Sequence, residues 1–252
     1  MNDATVPLMQ AVRLTRRFGG LTAVNEVSVA LQIGHVHAVI GTNGAGKSTL
    51  INMLSGELPV SGGTIVLGGT DITAWSQPAR SRAGVGRSYQ RTTIFPELSV
   101  LENCRLSAQA ARQRPWQVWE SAARCPHSSS VARDALERTG LANVATRAAG
   151  LLSHGQKRQL EIAMCLATRP RVLLLDEPLA GMGAAETDSM LTLLEALKST
   201  HAVLLVEHDM DAVFRVADVI TVMVNGEVIA SDVPQVIRTH PEVLVAYLGE
   251  EH

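Results

Sequence analysis

The chain has 252 residues, 46% of them hydrophobic and 18% charged, with a formal net charge of −2. This composition excludes a disordered chain or a disulfide-stapled miniature and supplies enough apolar surface for one or two compact units. The near-neutral balance argues against a dedicated nucleic-acid partner, which would advertise a basic face.

The opening MNDATVPLMQAV has no basic segment followed by an apolar one, so nothing in it directs export and a cytoplasmic protein is expected. No uninterrupted apolar run exceeds six residues, against the roughly 20 that a membrane-spanning helix needs. Cys104, Cys125 and Cys165 are far apart and form no C-x-x-C pair, which predicts reduced thiols and no metal cluster.

The first clear strand, VHAVI (36–40), runs into GTNGAGKS (41–48), which fits G-x-x-x-x-G-K-[ST]. Phosphate oxygens need several converging backbone N–H donors, and Gly41, Gly44 and Gly46 are expected to keep side chains out of their way. Lys47 offers a point charge for the β- and γ-phosphates and Ser48 a hydroxyl for Mg²⁺. The following helix should bury Leu50, Met53 and Leu54, stop near Gly56 and turn its N-terminal dipole toward the anion. His35 and His37 lie at the other end of the strand and read as structural.

GGTIVLGGTDI (62–72) reads as a hairpin. From about Ser99 to Leu166 no strand is expected and the chain should be mostly helical; within it, Gln109–Ser130 reads as an irregular insertion ending in a serine run. In LLSHGQKRQLEIAMCLA (151–167), Ser153 and Gln156 match a capping box, and Leu160, Ala163, Met164 and Ala167 recur at helical spacing. A helix start bearing Ser153, Gly155 and Gln156 is also a second anion site. It lies more than 100 residues from Lys47, and the simplest arrangement that uses both places them in different subunits.

VLLL (172–175) leads into Asp176, Glu177 and Pro178, and AVLLV (202–206) into Glu207, His208 and Asp209. Aliphatic runs without alternation predict strands covered on both faces, in an open α/β fold whose ligands bind beyond the strands' carboxyl ends. Asp176 then suits a Mg²⁺ carboxylate and Glu177 a group that orients water. His208 alone reads as a polar surface residue. VITVMVNGEVIA (219–230) closes the series as a hairpin about Asn225-Gly226.

Taken in order, these motifs resemble the ATP-binding cassette (ABC) ATPases over almost the whole chain. GTNGAGKST stands as Walker A, Gln90 as the Q-loop glutamine, LSHGQ as the signature, VLLLDEP as Walker B and His208 as the switch histidine. Phe18, in RRFGG, falls where that family stacks an aromatic ring on adenine. RFGGLTAVNEVS, LAGMGAAET, VEHDMDAV and the closing AYLGE are similar to the cytoplasmic ATPases of branched-chain amino acid importers; LSHGQK is also similar to those of urea and short-amide importers.

The resemblance implies an α/β P-loop NTPase (RecA-like) parallel-sheet core with an antiparallel β subdomain and an inserted helical subdomain. It implies a single domain over 1–252, with approximately 1–90 and 167–252 as core and β patch and 91–166 as the helical part. The implied cofactors are ATP and Mg²⁺. Phe18, Gly41, Thr42, Asn43, Gly44, Ala45, Gly46, Lys47, Ser48 and Thr49 would bind the nucleotide from one copy, and Ser153, Gly155 and Gln156 from another. Ser48, Gln90 and Asp176 would hold Mg²⁺, and Glu177, His208 and Gln90 would serve catalysis. The implied partners are two transmembrane permeases, a second cassette, identical or paralogous, and indirectly a periplasmic solute-binding protein, at the cytoplasmic face of the inner membrane.

Four departures stand out: Thr42 for proline, Ser88-Tyr89 for Thr-Phe, His154 where the signature has glycine or serine, and Gly183 where the D-loop has aspartate or asparagine. The competing readings are a lipopolysaccharide-type exporter cassette, a soluble cassette ATPase of repair or translation, and a small-molecule kinase. The kinase would have no use for LSHGQ or His208.

Overall fold

The computed structural model describes residues 6–88, 94–111 and 126–248. In chain order its strands and helices begin with β1 (Met9–Phe18), β2 (Leu21–Leu31), β3 (Val36–Gly41) and α1 (Lys47–Ser55). There follow β4 (Gly62–Leu67), β5 (Thr70–Asp71), α2 (Gln77–Arg82) and β6 (Val85–Arg87). The middle of the chain forms α3 (Val100–Ala110), α4 (Pro126–Arg138) and α5 (His154–Ala167). The last part alternates β7 (Val172–Asp176), α6 (Ala184–Lys198), β8 (Ala202–Val206), α7 (Met210–Val216), β9 (Val219–Val224) and β10 (Glu227–Asp232), and ends in α8 (Pro234–Ile237) and α9 (Pro241–Leu248).

The strands form two sheets, ordered β2-β1-β4-β5 and β10-β9-β3-β8-β7-β6. All pairings in the first are antiparallel. In the second, β9, β3, β8, β7 and β6 run parallel and β10 closes the edge antiparallel. The unbroken aliphatic runs are explained by what covers them. Val172 and Leu174 face the layer that also holds Leu50, Met53 and Leu54 of α1 and the inward side chains of β1, β2 and β4. Leu173 and Leu175 face the opposite layer, built with α3 to α7. Both faces are buried, so neither set of positions can be polar. α1 lies between the two sheets with Leu50, Ile51, Met53 and Leu54 fully buried, each contributing about 1.5–3 kcal/mol of transfer free energy.

The expected hairpin at 219–230 forms, with Asn225 and Gly226 both at positive φ as a type I′ turn requires. It belongs to the core sheet, because β9 also pairs with β3. β1 and β2, the longest strands, escaped the sequence reading. Their register shifts repeatedly, and Arg13 and Glu26 take positive φ, so the period-2 pattern is broken by bulges. The serines 128–130 are helical, within α4, and Ser128 is buried. Residues 112–125 of the expected insertion lie outside the described residues.

Candidate nucleotide site

Parallel pairing brings the chemistry to one edge. Asp176 stands opposite Val206, Val206 opposite Val39, and Gly41 lies two residues further along β3. The polar residues following β3, β7 and β8 therefore emerge together.

The phosphate loop is held by main-chain contacts. The Gly226 N–H donates to Ala45 O (3.1 Å), the Leu50 N–H to Gly46 O (2.9 Å) and the Asn25 N–H to Gly226 O (2.8 Å), so β2 and the β9–β10 turn brace it from behind. Two of the glycines also meet a constraint from within the protein. A Cβ on Gly41 would lie 2.1 Å from Met223 O, and one on Gly46 2.4 Å from Ala23 O. The protein's own backbone excludes a side chain at both. Lys47 is buried, and its Nζ donates to Gly41 O (2.5 Å) and Thr42 O (2.9 Å). Its ammonium is thus held inside the loop, within hydrogen-bond reach of the main-chain carbonyls. Thr42 and Gly46 are half-buried, while Asn43, Gly44 and Ser48 are exposed and Thr49 half-exposed.

Asp176 is only 4% exposed. Burial raises its carboxyl above the usual range, and the Arg87 guanidinium, 3.5 Å away, opposes that shift. Arg87 also donates to Asn52 Oδ1 (2.5 Å), Ser55 Oγ (2.8 Å) and Glu57 Oε2 (2.6 Å), tying Asp176 to the end of α1. The charge of Lys47 reaches Asp176 as well. The donor set suits a phosphate ester with a hard cation. No group of three or more His, Cys, Asp or Glu among the described residues would hold a metal alone, and Mg²⁺ typically binds through one or two protein oxygens plus substrate phosphates and water.

Glu177 takes φ 47°, a left-handed conformation costing a non-glycine residue about 1–2 kcal/mol. Its N–H is tied to Val206 O (2.9 Å) on the neighbouring strand. Strain of this kind gathers at functional sites. His208, with a 61% exposed side chain, places Nδ1 3.9 Å from Glu177 Oε1 and 3.8 Å from Glu207 Oε2. Sequence reasoning assigned no role to Glu207. It is fully buried, accepts from the Leu179 N–H (2.8 Å) and the His208 N–H (3.3 Å), and is pushed up to about 7 by burial. It links the histidine turn to the segment after Glu177. A carboxylate directly after a buried strand was the only signal available.

The structure brings together Lys47, Asp176, Glu177 and His208. Ser153, Gly155 and Gln156 are instead engaged with their own helix and with α6. Ser153 caps α5, its Oγ accepting from the Gln156 N–H (3.2 Å) while the Gln156 side chain accepts from the Ser153 N–H (3.1 Å). Phe18 ends β1 with 43% exposure and carries the Arg16 guanidinium over its ring at 4.6 Å. His37, by contrast, is buried, with Nε2 2.8 Å from Thr221 Oγ1, in the structural role expected of it. Cys104 and Cys165 are buried thiols pushed up to about 12 by burial, which disfavours the thiolate that reacts. Gln90 lies outside the described residues.

Residues 24–180 match the family model described as ABC transporter, more than half of the chain. The chain belongs to the ABC transporter family. Residues 227–252 of this cassette also match the model of the branched-chain amino acid ATP-binding cassette transporter. It is 40% identical to the high-affinity branched-chain amino acid transport ATP-binding protein BraF of Pseudomonas aeruginosa, over 97% of this chain and 98% of that protein. It is 38% identical to LivG of Escherichia coli K12, a protein of the same description, again over 97% and 98%. The ADP conformation of MJ1267, an ATP-binding cassette of an ABC transporter, superposes with a TM-score of 0.88 at 29% identity, covering 98% of this chain and all of that one. The cassette therefore has the P-loop NTPase fold and is an ATP-binding, ATP-hydrolysing component of a transporter with membrane permease partners. Among the described residues no helix is long and apolar enough to cross a membrane.

Proposed function

We propose that this cassette powers the import of branched-chain amino acids, as two copies, or one copy and a paralogue, close around ATP at the cytoplasmic face of the inner membrane. The solute class rests on the C-terminal match and on the near full-length relatives. The reaction rests on one observation above all: Glu177, strained to φ 47°, stands between buried Asp176 and the His208 imidazole at the edge that carries Lys47. The cassette acts as one domain over 1–252, with residues 91–166 as the helical part. It works with two permeases, and a periplasmic solute-binding protein delivers the cargo.

In this reading Phe18 faces the adenine, and the N–H groups of 41–49 wrap the phosphates. Lys47 exchanges the Gly41 and Thr42 carbonyls for phosphate oxygens. Ser48, Asp176 and Gln90 would hold Mg²⁺, which would supply charge neutralisation at the reacting phosphate. Glu177 takes the proton of the attacking water, a role worth about 10²–10⁴ in rate. His208 donates to the γ-phosphate. Ser153, Gly155 and Gln156 of the second cassette close the site from the other side, so nucleotide binds both halves only in the closed state and shifts the equilibrium toward it. Glu177→Gln is expected to lower ATP turnover by about 10²–10⁴ while ATP-dependent dimerisation survives, as measured by phosphate release and light scattering. Unchanged turnover would overturn the assignment of Glu177.

A further inference from the structure

The groups assigned above to the second half-site are already engaged. Ser153 Oγ donates to Glu186 Oε1 (3.1 Å), and the Gly155 N–H donates to the same oxygen (3.2 Å). Each has a single proton to give. A Cβ on Gly155 would lie 2.6 Å from the Glu186 carboxyl, so the glycine makes room for an anion, and the anion seated there belongs to the chain itself. The cleft that joins the two helix starts, about 260 Å³, is lined by Ser153, Gly155, Gln156, Met182, Glu186 and Ser189.

From this geometry we infer that Glu186 makes an autoinhibitory contact: its carboxylate occupies the signature tip in place of the opposing nucleotide's γ-phosphate and must leave before the dimer closes. The inference rests on the two-cassette reading given above. Two anions cannot share one pair of donors, and their mutual repulsion opposes joint occupancy. The carboxylate also has a second seat. Glu186 is the third residue of α6, and the residue capping that helix, Gly183, has no side chain to give it. A glutamate at this position commonly accepts from the N–H of the capping residue. Swinging from α5 to its own helix start would let Glu186 release Ser153 and Gly155 without losing a hydrogen-bonded position. His154 marks the same seam, since its Nε2 donates to Ala180 O (3.0 Å) in the segment leading to α6. The D-loop departure at Gly183 and the signature departure at His154 therefore meet in one junction.

The test compares Glu177→Gln with the double variants Glu177→Gln/Glu186→Gln and Glu177→Gln/Glu186→Ala. Dimerisation is titrated with Mg-ATP by light scattering, and Gly155 amide exchange is followed in the nucleotide-free proteins. The alanine variant is expected to reach half-maximal dimerisation at about ten-fold lower ATP, with faster Gly155 exchange. Glutamine keeps an acceptor oxygen but loses the charge, and should fall between the two. Thermal melting within about 2 °C of the parent excludes a merely structural effect. Equal or higher ATP requirements in both double variants, with the parent dimerising normally, would overturn the role of Glu186 and leave the two-cassette reading standing. A parent that stays monomeric at every ATP concentration would overturn both.

Discussion

The two half-sites of this cassette are built in opposite ways. The phosphate loop is fastened by backbone: Ala23, Met223 and Gly226 press on Gly41, Ala45 and Gly46, leaving no space for a methyl group at Gly41 or Gly46. The signature tip is fastened by side chains, the Glu186 carboxylate and the His154 ring, which rotate at little cost. One half is preorganised and the other is gated. On the two-cassette reading proposed above, ATP binds first and closure follows, and that order needs this asymmetry, since the first site must exist before its partner arrives.

Adding one methyl group to each half is the strongest way to break the comparison. Gly46→Ala meets Ala23 O and sits at φ 95°, and should cost about 3–5 kcal/mol from strain and overpacking together, with loss of nucleotide binding in calorimetry. Gly155→Ala meets only the movable end of Glu186 and should stay within about 1 kcal/mol of the parent in denaturant unfolding. Equal losses at both positions would erase the contrast.

A smaller effect concerns the buried acid on the rigid side. Glu207 is held at about 7 by burial. An acid raised in the folded state binds its proton more tightly there than in the unfolded chain. Its contribution to stability is full below about pH 4 and is lost as the pH rises through about 7. Glu207→Gln cannot titrate, so its stability relative to the parent should rise by about 2 kcal/mol between pH 5 and pH 8, read as converging or crossing melting temperatures. A constant difference across that range would assign Glu207 an ordinary acidity. The smallest effect belongs to the gated side: Gly183→Ser gives α6 the cap it lacks, in open space, and should add a few tenths of a kcal/mol, about 1 °C in melting temperature.

These expectations divide along the line between what was legible beforehand and what was not. The loop 41–48, the end of β7 at Asp176 and Glu177, and the Ser153–Gln156 cap could be read because each is built from residues adjacent in the chain. His208 could be read only through resemblance; as one polar residue after a strand it carried no signal of its own. Glu207 and Glu186 could not be assigned, since their partners lie 28 residues away at Leu179 and 31 and 33 away at Gly155 and Ser153. At Gly41 and Gly46 a second constraint could not be read beforehand, because the carbonyls that exclude a side chain belong to β9 and β2.

By itself, then, the sequence determined the local devices: doubly buried strands from their unbroken aliphatic runs, the loop from its glycines and lysine, and the start of α5 from its Ser153–Gln156 cap. Tertiary structure alone decided which carboxylates would be buried, held above the usual acid range or seated on another group's donors. Backbone geometry is specified by neighbouring residues, whereas the charge and partner of an acid depend on what distant elements bring against it when they pack.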